Sequence, residues 1–197
     1  MKKLIIASNN PGKLREFQFL LQPLGIEVLT QAQLGIAEAE EPHVTFVENA
    51  IAKARHVSRL SGLPALADDS GICVTVLGGA PGVLSARYAG EPKSDARNNE
   101  KLLQDMQGVA DRRAHYYCVL VLLHHADDPQ PIIAEGEWHG EIAHEERGDG
   151  GFGYDPLFWL PELGKMSAEL EREQKHAISH RGKALRVLLK KLKVTGA

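Results

Sequence analysis

Two adjacent acids followed by a hydroxyl and a glycine, Asp68-Asp69-Ser70-Gly71, are where this sequence offers chemistry most directly. An apolar run, Ala65-Leu66-Ala67, leads into them after a turn at Gly62-Leu63-Pro64 and reads as a buried strand that ends at the acids. Side chains alternate along an extended segment, so Asp68 and Asp69 do not both turn away from the same place. Open α/β sheets put their ligands beyond the carboxyl ends of strands, and two carboxylates there require a cation, a shared proton or water. A divalent metal carrying a phosphate meets that requirement. An Asx or Ser turn with hydrated acids meets it too, so this segment alone leaves both readings open.

Cations that could face such acids are spread along the chain. Ser8-Asn9-Asn10-Pro11-Gly12-Lys13 follows the apolar run Leu4–Ala7. Asn10 suits a helix N-cap and Pro11 the first helical position, so the N–H groups of that first turn, with Lys13 beside them, form an anion site or simply a capped helix with a solvated lysine. It is not a Walker A loop, because the spaced glycine is missing and Leu14 stands where Ser or Thr follows the lysine. Lys53 lies off the middle of a later helical stripe, placed to snorkel or to reach a site. Arg87 is a candidate phosphate contact after the turn Gly78-Gly79-Ala80-Pro81-Gly82. Glu38, Glu40 and Glu41 cluster in an irregular acidic stretch.

A second block is Gly148-Asp149-Gly150-Gly151-Phe152-Gly153-Tyr154-Asp155-Pro156. Its glycines suit a backbone that approaches a flat ligand; Phe152 or Tyr154 could stack on a base and Asp155 could accept from a ring N–H, unless the block is a hairpin loop anchored by one aromatic. Near the end, Ser179 suits an N-cap, which puts His180 and Arg181 in a first turn where positive charge opposes the helix dipole. Arg181 there needs another reason, and an anionic or oxygen-rich ligand is one. His124, His125, His139 and His144 lack the helical i,i+4 spacing of a zinc site and read as solvated or strand-end residues.

The elements that must position these residues follow from periodicity. Leu4–Ala7 and Glu27–Leu29 read as strands, with a helix between them carrying Leu14, Phe17, Leu20, Leu21 and Leu24. Thr45 and Glu48 form a capping box for a helix with the stripe Val47, Ala50, Ile51, Ala54, Val57 and Leu60, stopped by Gly62. Ile72–Leu77 reads as a second extended run, Ser94 as the cap of a short helix with Leu102, Leu103 and Met106, and Ile132–Ala143 as one or two strands. His115–His125 is a long strand whose continuous apolar centre implies a central place buried on both faces. A closing helix carries Leu185, Leu188, Leu189 and Leu192.

Composition narrows the function classes. The 197 residues are 43% hydrophobic and 25% charged, with a formal net charge of −3, so the basic excess of a protein held by nucleic-acid backbones is missing. No apolar run approaches the roughly 20 residues that span a bilayer, and the apolar core after Met1-Lys2-Lys3 is too short for a signal peptide; a cytoplasmic location is expected. The two cysteines, Cys73 and Cys118, lie in apolar runs and read as buried thiols.

Taken together, six motifs in order resemble the inosine/xanthosine triphosphate pyrophosphatase family, and within it the bacterial dITP/XTP pyrophosphatases: Ala7-Ser8-Asn9-Asn10-Pro11-Gly12-Lys13, Thr45-Phe46-Val47-Glu48-Asn49-Ala50, Ala67-Asp68-Asp69-Ser70-Gly71, Gly78-Gly79-Ala80-Pro81-Gly82, Gly151-Phe152-Gly153-Tyr154-Asp155-Pro156 and Ser179-His180-Arg181-Gly182. The resemblance spans the whole chain; the one departure is Ser8, where relatives often carry another hydroxyl residue, Thr. It implies an α/β fold over residues 1–197, an elongated mixed β-sheet flanked by helices, with two lobes and an active-site cleft between them. It also implies a homodimer, for which Tyr88 and Trp159 are the exposed aromatic candidates, and Mg²⁺-dependent hydrolysis of a small-molecule purine nucleoside triphosphate (dITP, ITP or XTP) to monophosphate and pyrophosphate. Position by position, Asp69 is similar to the general base and a metal ligand, and Glu41 to the other metal-binding acid. Ser8, Asn9, Asn10, Pro11, Gly12, Lys13, Lys53, Ser70 and Arg87 match phosphate-binding positions. Phe152, Gly153, Tyr154, Asp155, Lys175, His180 and Arg181 match base and substrate contacts. A pyrophosphatase for other modified nucleotides, as among Maf-like proteins, and a nucleotide-sensing module without turnover are the other readings.

Overall fold

Alternating apolar residues and capped amphipathic helices assemble, in the computed structural model, into one mixed seven-stranded sheet with helices packed on it. The structure describes residues 3–22 and 25–195, with the side chains of residue 20 and residues 193–195 excepted. The strands are β1 (Lys3–Ala7), β2 (Glu27–Thr30), β3 (Ala65–Val74), β4 (Arg113–Leu123), β5 (Ile132–Ile142), β6 (Phe158–Leu160) and β7 (Lys165–Met166). The helices are α1 (Pro11–Leu21), α2 (Phe46–Ser61), α3 (Asp95–Asp105), α4 (Arg172–Ile178) and α5 (His180–Thr195). Sheet order is β2-β1-β3-β4-β5-β6-β7, so β4 is the middle strand as its unbroken apolar centre requires. β1 pairs in parallel with β2 and β3, whereas β6 pairs antiparallel with β5 and β7.

The chain divides into two compact units: Met1–Asp69 with Cys118–Gly136 and Lys183–Ala197, and Ser70–Tyr117 with Glu137–Gly182. In the first unit, Leu4, Ile6, Leu66, Cys118, Leu120 and Leu122 pack with Phe17 and Leu21 of α1 and Leu185, Leu188 and Leu192 of α5. The alternate residues Ile5, Ala65 and Ala67 are buried as well, and α2 packs on β1 through a stripe whose buried members, Ala50, Ala54 and Val57, are small. In the second unit, Ile72, Val74, Tyr116, Trp138 and Ile142 point to one core with Leu102 of α3, Met106 just after it, and Tyr154, Leu157 and Phe158. Fully burying one such large apolar side chain contributes about 1.5–3 kcal/mol, so each unit has a core of its own.

Several expectations need correction. The strand entering Asp68 and Asp69 does not end there: β3 runs on through Ser70 and Gly71 to Val74. The acids are accommodated mid-strand because alternation sends them to opposite faces, where each meets a lysine. Gly71 permits the continuation, since a Cβ there would run into the Gly82 carbonyl and the Ser85 hydroxyl. Thr75–Leu77 is a 3₁₀ turn rather than the end of a strand. Leu60, placed on the α2 stripe, is 60% exposed. Thr45 caps α2 through the Glu48 N–H, but Glu48 answers by accepting from the Thr45 hydroxyl at 2.5 Å. Leu24 and the side chain of Leu20 lie outside the described residues.

The capping of α1 and the stop at Gly62 in a left-handed conformation agree with the sequence; β5 is one undivided strand where the sequence left one or two, and Gly82–Arg87 forms a 3₁₀ turn that the sequence did not announce. Gly140 does not interrupt β5; without a Cβ it lets the Trp159 carbonyl and the Phe158 ring approach. Both cysteines are free thiols, and burial pushes Cys73 up to about 11, well away from thiolate chemistry. Among the described residues no helix is long and apolar enough to cross a membrane. Tyr88 and Trp159 are half-buried and engaged within the chain, under Lys101 and Arg147 respectively.

Candidate active site

In the first unit the chemistry gathers around the segment 8–13 that opens α1, one lysine of α2, Glu41 and the acids of β3. Asn10 accepts from the Gly12 and Lys13 N–H groups at 2.9 and 3.1 Å, and Ser8 Oγ accepts from the Asn10 N–H at 3.1 Å. With Pro11 at the first helical position, this fixes the start of α1 and aims Lys13 at Asp68, with which it forms an ion pair. Asn9 stays exposed. Asp68 is 1% exposed and also accepts from Cys118 Sγ at 3.2 Å. Sequence reasoning could not show which acid of the pair would face a metal; in the structure Asp68 is engaged by Lys13 and the Cys118 thiol.

Asp69 lies on the other face. Its Oδ1 accepts from Lys53 Nζ at 2.8 Å, and the same ammonium donates to Glu41 Oε1 at 2.7 Å. Glu41 is held there because Asn49 of α2 exchanges two hydrogen bonds with the backbone of His43, at 3.0 and 3.1 Å. Glu38 and Glu40 are exposed, so of the three clustered glutamates it is Glu41 that is brought to Lys53. Asp69 Oδ2 is buried and has no hydrogen-bond partner among the described residues. Burial is the main influence on Asp69 and, with help from Glu41, raises its carboxyl above the ordinary range although Lys53 and Lys13 pull it down. Burial pulls Lys53 down as well, but Asp69 and Glu41 more than offset it and the ammonium keeps its proton.

Such a group can take a proton or a cation at Asp69 Oδ2. Among the described residues no three acid, histidine or cysteine side chains stand close enough to hold a metal by themselves. Mg²⁺ does not need three, since it is commonly held by one or two carboxylates with phosphate and water completing its shell. A buried carboxylate oxygen lacking a partner, with Glu41 on the same ammonium, fits that pattern of hard oxygen donors.

In the second unit the glycine loop and the start of α5 supply a different cluster. Phe152 is half-buried, with Lys175 Nζ at 5.1 Å and the Arg181 guanidinium at 5.9 Å from its ring centre. Arg181 is 2% exposed and donates to Ser70 Oγ at 2.9 Å. His180 lies parallel to the Tyr116 ring, centroids 4.6 Å apart, with Trp138 at 6.4 Å. Gly182 makes this corner possible, because a Cβ there would enter the His176 carbonyl. Ser179 accepts from the Gly182 N–H at 3.2 Å, the N-cap role read from the sequence. Arg87 ends the 3₁₀ turn at Gly82–Arg87.

Two residues expected to touch a base are occupied by their own chain. Tyr154 is 4% exposed and donates its hydroxyl to the Ser85 carbonyl at 2.7 Å, which makes Phe152 the aromatic free to stack. Asp155 accepts from Lys175 Nζ at 2.5 Å, the Phe152 N–H at 2.8 Å and Ser167 Oγ at 2.8 Å, so it shapes the loop and seats the lysine. Gly151, at φ +78°, is required beside it, since any Cβ would strike the Asp155 carboxylate.

Sequence reasoning missed Tyr116 and Trp138 behind His180, and the short helix α4 that carries Lys175. Tyr116 was signalled only by its alternation with Ala114 and Cys118 along β4, and Trp138 by its alternation with Ala134 and Ile142 along β5; seven residues of mixed polarity before Ser179 carry no strong helical signal.

A family model described as the Ham1 family matches residues 4–191. A dITP/XTP pyrophosphatase of Ralstonia nicotianae is 65% identical over 197 residues, covering 98% of each chain. Another from Nitrosomonas europaea is 66% identical, covering 98% of this chain and 95% of the other. Among solved structures, a HAM1 protein from Coxiella burnetii aligns with a TM-score of 0.91 at 47% identity, over 98% of this chain and 99% of its own. The Staphylococcus aureus Ham1 protein aligns at 0.87 and 40% identity, over 98% and 100%.

Proposed function

This chain belongs to the Ham1 family, and on that premise we propose that it hydrolyses non-standard purine nucleoside triphosphates (dITP, ITP and XTP) to the monophosphate and pyrophosphate, clearing deaminated purines from the nucleotide pool. The observation that carries the reading is Asp69, buried, with one oxygen on Lys53 and the other without a partner. In this reading the Asp69 carboxylate takes the proton of the water that attacks the α-phosphorus, and the α–β anhydride breaks with pyrophosphate leaving. Lys13, Lys53 and Arg87, with Ser8 to Gly12 and Ser70, hold the phosphates, whose charge is the main obstacle to attack. Mg²⁺, held by Asp69 and Glu41, supplies neutralisation of that charge when bound. The family reading also carries a homodimer, a single functional domain over residues 1–197 and a cytoplasmic setting.

Base preference is assigned to the second cluster. Phe152 supports the ring face, while Lys175, His180 and Arg181 carry N–H donors, and the Lys175 ammonium has N–H groups beyond the one given to Asp155. A 6-oxo group accepts from such donors, whereas the adenine amino group sets a donor against a donor. Each buried mismatch is worth about 10- to 100-fold. With Mg²⁺, kcat/KM for dITP and XTP is therefore expected to exceed that for dATP by at least about 100-fold. Steady-state rates across dITP, XTP, dATP, dTTP and methylated pyrimidine nucleotides test this; comparable rates for dATP, or a preference for the pyrimidines, would reject it.

A further inference from the structure

The Phe152 loop has no regular structure of its own, yet its backbone is tied at both polar groups of one residue. The Gly153 N–H donates to Asp95 Oδ2 at 2.8 Å, and the Gly153 carbonyl accepts from Asn99 Nδ2 at 3.2 Å. Both partners come from the start of α3, four residues apart and so on one face. On the same face, Asn98 donates to the carbonyls of Ser85 and Ala86 at 3.3 and 3.1 Å and accepts from the Ala89 N–H at 2.8 Å, which fixes the turn carrying Arg87. Asn99 Oδ1, at the other end of its amide, is buried and has no partner among the described residues. An apolar side chain would avoid that penalty, and what the amide supplies in return is its bond to Gly153.

We infer that Asp95 and Asn99 are positioning residues for base recognition: α3 brackets the Gly153 peptide and thereby sets where Phe152 stands relative to Lys175 and Arg181. Neither side chain needs to meet the nucleotide. The inference rests on the proposed function to the extent that it takes the Phe152 loop as the base contact. Asp95 is exposed apart from this contact, so its substitution removes the bracket without opening a core.

The test compares Asp95→Ala, Asp95→Asn, Asn99→Ala and Phe152→Ala on dITP and dATP with Mg²⁺. Asp95→Ala is expected to raise KM for dITP about tenfold with a much smaller change in kcat, and to narrow the dITP-to-dATP ratio of kcat/KM. Asp95→Asn, which keeps an acceptor oxygen, restores both to within about twofold. Asn99→Ala shows the same KM and selectivity pattern where it folds, and Asp95→Ala decides the matter if it does not. Unchanged KM and selectivity in Asp95→Ala, while Phe152→Ala alters both, would overturn the bracket and leave the loop as base contact. Unchanged values in Phe152→Ala would overturn the loop reading and the bracket with it. A lower Tm in Asp95→Ala with kcat reduced and KM and selectivity intact would mark a purely structural role and reject the inference.

Discussion

Asp69→Asn is expected to lower kcat for dITP by at least about a thousandfold while the protein stays folded, because a lost general base alone costs 10²- to 10⁴-fold. The amide oxygen can still accept from Lys53 in place of Oδ1. The other position becomes an NH₂ group, which can neither take a proton from water nor coordinate a cation. Asn matches Asp in shape and Lys53 keeps the Glu41 carboxylate, so the charge lost beside Lys53 is partly offset by relief of Asp69's own burial and Tm should change only modestly. Pyrophosphate release under saturating Mg²⁺ and a thermal melt measure the two halves of the expectation. A kcat within tenfold of the unaltered protein would take Asp69 out of the chemistry.

The second large effect is on stability. Asp155→Ala leaves the ammonium of Lys175, a residue only 8% exposed, without its carboxylate and removes the acceptors of the Phe152 N–H and Ser167 hydroxyl. Breaking a buried pair from one side costs about 3–5 kcal/mol, which in a chain of this size lowers Tm by roughly 6–20 °C. The cost comes mainly from the stranded charge rather than from the pair's net attraction. Asp155→Ala combined with Lys175→Met should therefore recover more than half of the lost Tm. A single variant that melts within 2 °C of the unaltered protein, or a double variant no better than the single, would contradict this description of the loop.

Much of the scaffold was legible because local signals agreed with the tertiary outcome. Asn10 and Pro11 announced α1, Thr45 and Gly62 bounded α2, and the unbroken run Cys118–Leu123 named the central strand. The acid pair misled for a definite reason. Aspartates disfavour strand interiors, and nothing local shows that Lys13 and Lys53, far away in sequence, arrive on opposite faces to neutralise them. The same limit hid the different partners of Asp68 and Asp69, and it made Tyr154 and Asp155 look available when Ser85, Ser167 and Lys175 already use them. The bracket from α3 was unreadable too, since two asparagines and an aspartate at the start of a helix ordinarily suggest capping and a solvated face.

The most direct test of the account is the identity of the first phosphorus-containing product of dITP turnover with Mg²⁺, followed by ³¹P NMR without added pyrophosphatase. Attack at the α-phosphorus, assisted by Asp69, predicts dIMP and pyrophosphate in equal amounts from the earliest time points. Orthophosphate with dIDP as the initial products would contradict it.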